Sequence, residues 1–189
     1  MRMTPALVLL LLATEPVRVP RDPGLYYLMP PDTSRIEGRA VTVSQGRSRM
    51  PLGRSMPAPM KAIGGGGQSE AEILGEHAAQ RVIAAPVFYF RAQEGQEATG
   101  AGDLVLVKLR VKKNHREFTI SAEGPWQSNT GVPLRSQVEF YAKRVESGLY
   151  KLTPAEDLKP GEYGFYLFRG RDLPGFLYDF SVASPDAVP

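Results

Sequence analysis

A chain of 189 residues, 42% of them hydrophobic, is long enough to bury a core as one domain, and it contains no cysteine. Disulfides, thiolate zinc sites and cysteine nucleophiles are thereby excluded. The net charge of +3 gathers at the front, where residues 1–61 hold nine Lys/Arg against four Asp/Glu while the remainder holds fourteen against sixteen, so the body lacks the basic surplus of a nucleic-acid binder.

The first residues read MRMTPALVLLLLATEP. One arginine precedes an apolar run from Pro5 to Ala13 that is too short to span a bilayer as a helix. This is the pattern of a secretory signal peptide, with a buried first strand as the competing reading of the run. Residues 1–14 are therefore expected to direct export to a secreted or periplasmic location, with no integral membrane span. Residues 22–183 are expected to form a single domain, followed by a tail at 184–189.

Asp22-Pro23 is a turn signal, and GLYYLM from Gly24 to Met29 reads as the strand after it. RIEGRAVTVS, Arg35 to Ser44, predicts another strand. The stretch 45–68 has no hydrophobic period and contains the glycine run Gly64 to Gly67, which predicts a long mobile loop. Met50, Met56 and Met60 within it are too irregularly spaced to suggest a copper site. Ser69 and Glu72 make a capping box that predicts one short helix, with Ile73, Leu74, His77, Ala78 and Arg81 on one face. Gly75 within it costs about 1 kcal/mol against alanine, and a bulged strand is the competing reading.

Beyond Pro86 every signal is β. PVFYFRA is compact and aromatic, and DLVLVKLRVKKNHREFTISA forms a hairpin when Lys112 is set opposite His115. That register places Leu109 opposite Phe118, Val107 opposite Ile120 and Val105 opposite Ala122, with Arg110 opposite Glu117 on the other face. QVEFYAKRV and GLYKLT are further strands. GEYGFYLF and GFLYDF then close the chain as a terminal hairpin.

Between them lies Leu158-x-Pro160-Gly161-x-Tyr163, which resembles the tyrosine corner of Greek-key sandwiches. Proline fixes φ, glycine accepts unusual backbone angles, and a buried phenol must find an acceptor, which the bend's carbonyl supplies. Tyr163 is expected to hold a corner rather than to catalyse. Related turn chemistry recurs in DPGLYYL, ESGLYKLTP and LPGFLYDF without a fixed spacing.

Catalytic constellations are scarce. The two histidines, His77 and His115, do not make metalloprotease spacing with Glu72 and Glu76. His115 sits beside Lys112, Lys113 and Arg116, cationic neighbours that disfavour a metal. No nucleophile elbow or phosphate loop is present. No cofactor and no catalytic residue are expected, so the chain reads as a non-enzyme. Candidate ligand contacts are Trp126, in the loop GPWQSNTG, and the hairpin tip Lys112, Lys113 and His115. Their structural alternatives are an indole folded over the sandwich edge and lysines that block edge pairing.

The order GLYYL, PVFYFR, a lysine-rich hairpin, GLYKLTP, LKPGEYGFYL and YDFSV resembles a group of exported bacterial β-sandwich proteins with no assigned activity. The resemblance implies export and a sandwich and brings no activity with it. The sequence thus predicts an all-β fold, a Greek-key (immunoglobulin-like) antiparallel sandwich with one short helix. The expected function is an interaction module for a protein or glycan at the cell envelope, with a carbohydrate-binding or hydrolase-accessory role for the Trp126 loop as the alternative.

Overall fold

A computed structural model describes residues 17–30, 32–45, 68–93, 100–121, 131–169 and 175–183. Residues 1–14, the tail, Trp126 and all of the 45–68 stretch except its two end residues lie outside the described residues. The chain is all-β, in two packed sheets. β1 (Gly24–Met29), β2 (Asp32–Ile36), β7 (Phe88–Arg91), β11 (Phe140–Glu146) and β12 (Leu149–Pro154) form a five-stranded sheet in the order β11-β12-β7-β1-β2. The second sheet runs β3 (Gly38–Ala40), β14 (Phe176–Val182), β13 (Gly161–Leu167), β8 (Leu104–Val111), β9 (His115–Ser121), β5 (Gln68–Leu74), β4 (Thr42–Gln45). β6 (Arg81–Val82) joins β14 in parallel, and β10 (Gln137–Val138) joins β8.

β3 and β4 stand at opposite ends of this seven-strand order, yet only Val41 separates them in the chain. The sheet therefore rolls round until its two edges meet in one bent strand, nearly closing a barrel. Val41, Ala71, Val105, Val107, Phe118, Tyr166 and Leu177 fill its interior. The outer wall of the roll, through Leu104, Leu106, Tyr163, Phe165 and Phe180, packs on Leu25, Phe88 and Leu152 of the flat sheet. β8, β13 and β14 are thus covered on both faces, which is why LVLV and GFYL read as continuous apolar runs rather than alternating ones. Phe88 lies at the centre of the core, with its ring centroid 4.8 Å from Phe180 and 5.2 Å from Phe165. Such tilted and edge-on pairs add about 0.5–1.5 kcal/mol each to the burial itself.

Three sequence expectations change. The segment predicted as a short helix from Ser69 is strand β5, paired residue by residue with β9 from Gln68↔Ser121 to Leu74↔His115. Ser69, Ala71 and Ile73 alternate into the roll, and burying that row along β9 outweighs a capping signal worth about 1 kcal/mol. The strand predicted over 35–44 is divided into the end of β2, β3 and β4, because closing the roll requires a bend at Val41. The hairpin keeps its predicted register at the tip, where Arg110 pairs with Glu117 and the Lys112 N–H donates to the His115 carbonyl at 2.8 Å. Further along, β8 leaves β9. Val107 pairs with Gln137 and Leu106 with Val138 of β10, so Val107 does not face Ile120 as predicted.

Candidate functional site

β9 presents two different chemistries on its two faces. His115, Glu117 and Thr119 point outward, beside Glu70 and Glu72 of β5, because Glu70 pairs with Thr119 and Glu72 with Glu117. Arg110 bridges this face, with Nη2 donating to Glu70 Oε2 at 2.6 Å and Nε to Glu117 Oε1 at 3.2 Å. Lys112 Nζ lies 3.4 Å from the same Glu117 Oε1. Partial burial works against ionising Glu117. The hydrogen bonds from Lys112 and His115 and the charges of Lys112 and Arg110 outweigh it, so the carboxyl titrates below its ordinary value. Of the predicted tip residues, Lys112 and His115 are brought onto this polar face, whereas Lys113 is exposed in the turn.

The inward face carries Arg116, which is fully buried. Its Nη1 lies 2.8 Å from Asp179 Oδ2 and 3.1 Å from Glu162 Oε2, and its Nε donates to the Gly75 carbonyl at 2.9 Å. Glu162 also accepts from Ser181 Oγ at 2.6 Å and from the Ala78 N–H at 2.9 Å, and His77 Nδ1 lies 3.2 Å away. A buried ion cluster costs several kcal/mol per ion in desolvation and is recovered only by such dense bonding. It closes one end of the roll. Ser, His and Glu meet here, but the serine donates to the glutamate and the histidine faces the same carboxylate. The hydroxyl's acceptor is the Glu162 carboxylate, which also takes the Ala78 N–H, so the wiring ties the loop at 75–80 to β13 and β14.

The corner forms as the sequence predicts. Tyr163 Oη donates to the Lys159 carbonyl at 2.9 Å, where the chain crosses from β12 in the flat sheet to β13 in the rolled one. Leu158 is buried in the intersheet core, and Pro160 and Gly161 carry the chain into β13. Gly161 has φ +151, a conformation that side-chain-bearing residues rarely adopt. Lys108 Nζ sits 5.6 Å from the Tyr163 ring centroid, at the mouth of a cleft of about 400 Å³ also lined by Glu139, Glu156, Asp157 and Lys159.

A surface not singled out from the sequence is the edge at β11, which no strand among the described residues covers. The strand pairs with β12 on one side and ends the five-stranded sheet. Every residue from Tyr141 to Glu146 is exposed, with Tyr141 at 61% and Val145 at 54%. The alternation in QVEFYAKRV reveals a strand, but its edge position depends on pairing that no local pattern encodes.

No protein-family model, curated protein or solved structure matches this chain.

Proposed function

We propose that this protein is an exported, non-catalytic interaction module, a β-sandwich of Greek-key, immunoglobulin-like type, which binds an extended acidic segment of a partner protein along β11. The observation that carries the reading is the open edge itself. A row of N–H and C=O groups that no described strand pairs, beside exposed Tyr141 and Val145, is a template for strand addition, with backbone bonds giving affinity and side chains giving selection. Charge narrows the occupant. A second copy added antiparallel about Lys143 would set that lysine against itself, and like charges directly opposite are destabilising. The irregularity between Arg144 and Glu146 further interrupts a long flat pairing. Glu146 is held by Arg91 at 2.9 Å, which leaves Lys143 and Arg144 as the charges offered to a partner strand.

The sheet-to-sheet crossing at Tyr163 supports the Greek-key assignment. The apolar run at residues 5–13 and the resemblance to exported bacterial sandwich proteins support export and a partner at the cell envelope. Selection from a library of extended peptides tests the binding. Enrichment of acidic sequences is expected, with loss in Tyr141→Ala and a switch toward basic sequences in Lys143→Glu/Arg144→Glu. Peptide binding indifferent to these changes overturns the β11 site. Glycan-array binding that Trp126→Ala abolishes would transfer the ligand class to the Trp126 loop. Mass spectrometry of protein from its native host should find a mature start beyond residue 14, and an intact Met1 would contradict export.

A further inference from the structure

We propose that the end of the intersheet core, between the start of β1 and the start of β14, is a binding pocket for a small aromatic carboxylate. The pocket has a volume of about 180 Å³ and lies at the far end of β13 from the Tyr163 corner. Phe90, Leu167, Phe176 and Tyr178 give it apolar walls, and Gln93 and Arg169 contribute polar groups. An apolar cavity of about 150 Å³ is enough to hold one benzene ring. This pocket therefore takes a single ring with one short substituent.

The polar groups select the substituent. Among the described residues no carboxylate lines the pocket. Arg169 makes no ion pair or hydrogen bond with them, and its guanidinium carbon stands 5.2 Å from the Phe176 ring centroid. A guanidinium set over an aromatic face keeps its N–H donors available for a carboxylate, which it can grip through two parallel bonds.

Tyr178 supplies the second donor. Its half-buried ring lies against Gly38, where a Cβ would stand 2.8 Å away, and that close approach fixes the ring in place. Its hydroxyl has no hydrogen-bond partner among the described residues. Burial raises this phenol above its ordinary value by more than the charges of Arg35 and Arg169 lower it, so the hydroxyl keeps its proton at neutral pH. Arg35 is already engaged, with Nε 3.6 Å from Glu37 Oε1, which leaves Arg169 as the cation offered to a ligand. A bare anion would leave the aromatic walls unfilled, and a neutral ring would leave both donors without an acceptor. A ring bearing a carboxylate answers both.

Calorimetric titration of the full chain with sodium benzoate tests the pocket, with benzamide and acetate as ligands that each lack one half of the match. Saturable binding of one benzoate per chain is expected, with benzamide and acetate each weaker by about tenfold or more. Arg169→Ala should weaken benzoate binding by about tenfold or more, and Tyr178→Phe, which keeps the ring, by about tenfold. Arg135→Ala, at an exposed arginine that does not line the pocket, should leave the affinity unchanged. Urea midpoints without ligand establish that each variant is folded. Absent saturable binding, benzamide as tight as benzoate, or benzoate affinity unmoved in both Arg169→Ala and Tyr178→Phe overturns the proposal.

Discussion

The chain makes the same corner twice, and the two copies face opposite ways. Pro160-Gly161-Glu162-Tyr163 opens β13, and Pro23-Gly24-Leu25-Tyr26 opens β1. In each, the tyrosine hydroxyl donates to the carbonyl of the residue before proline: Lys159 at 2.9 Å in one, Asp22 at 2.7 Å in the other. The glycines match as well, at φ +151 and +149. Tyr163 nonetheless points into the core between the sheets, stacked on Phe180, while its neighbour Glu162 enters the roll and meets Arg116. At the first corner Leu25 takes the core position and Tyr26 turns outward, under Val19 and beside Tyr89 and Leu149. Local spacing sets the hydroxyl bond, and strand register decides which side chain the core receives. The residue two before proline follows suit, being buried Leu158 at one corner and exposed Arg21 at the other.

If that division holds, the residue between glycine and tyrosine should separate the corners most. Glu162→Gln removes a full charge from beside buried Arg116 and is expected to cost about 3–5 kcal/mol, as when one partner of a buried pair is lost. Leu25→Ala leaves an ordinary cavity at about 2–5 kcal/mol. Neither deficit should respond much to salt, that of Leu25→Ala because the cavity carries no charge and that of Glu162→Gln because the cluster is closed to solvent. Urea unfolding of both in low and high salt checks this.

A smaller effect is expected for the hydroxyls. Tyr163→Phe and Tyr26→Phe should each cost about 1–3 kcal/mol, since both strand a carbonyl and both rings are buried. Equal midpoints for wild type and Tyr163→Phe would mean that the bond closing the intersheet corner contributes nothing. Tyr150→Phe is the reference, because SGLYKL lacks the proline and places Tyr150 only partly buried against the core. It should shift stability least, by about 0.5 kcal/mol or below.

Alkaline pH offers the finest contrast. Burial raises the Tyr26 phenol above its ordinary value, more than the nearby Arg35 lowers it. The unfolded chain therefore ionises first. The Tyr26 contribution is intact below about pH 10 and is lost as pH rises through the folded value. Tyr26→Phe should consequently lose less stability than wild type on passing from about pH 9 to 11. Tyr166 and Tyr178 are raised by burial too and remain in both proteins, so the difference between the two curves isolates Tyr26.

Much of this was legible because it is local. Proline, glycine and tyrosine at fixed spacing encode the corner, and period-two alternation on both arms encodes the register of Arg110 against Glu117. The recurrence of the turn in DPGLYYL was visible too, although Arg21 in place of leucine concealed that its tyrosine closes the same bond. The rest depends on distant partners. Arg116 reads as one more solvated charge at a lysine-rich tip until Glu162 and Asp179 arrive from β13 and β14 to neutralise it. Ser69 and Glu72 advertise a helix start, and only β9 makes their segment a strand. Glu72 enters the outward-facing cluster for the same reason.

The bend at Val41 carries a consequence for how the molecule assembles. On one side of it β4 pairs with β5, which is near in sequence, and on the other β3 pairs with β14, almost the last segment of the chain. The roll cannot close until the final strand has been synthesised, and until then its apolar lining has no fourth wall. Closure through so wide a separation places the chain among folders of high contact order, with refolding expected in milliseconds to seconds rather than microseconds. Deleting β14 should therefore leave no partly stable barrel, only an open sheet with its interior exposed to other chains.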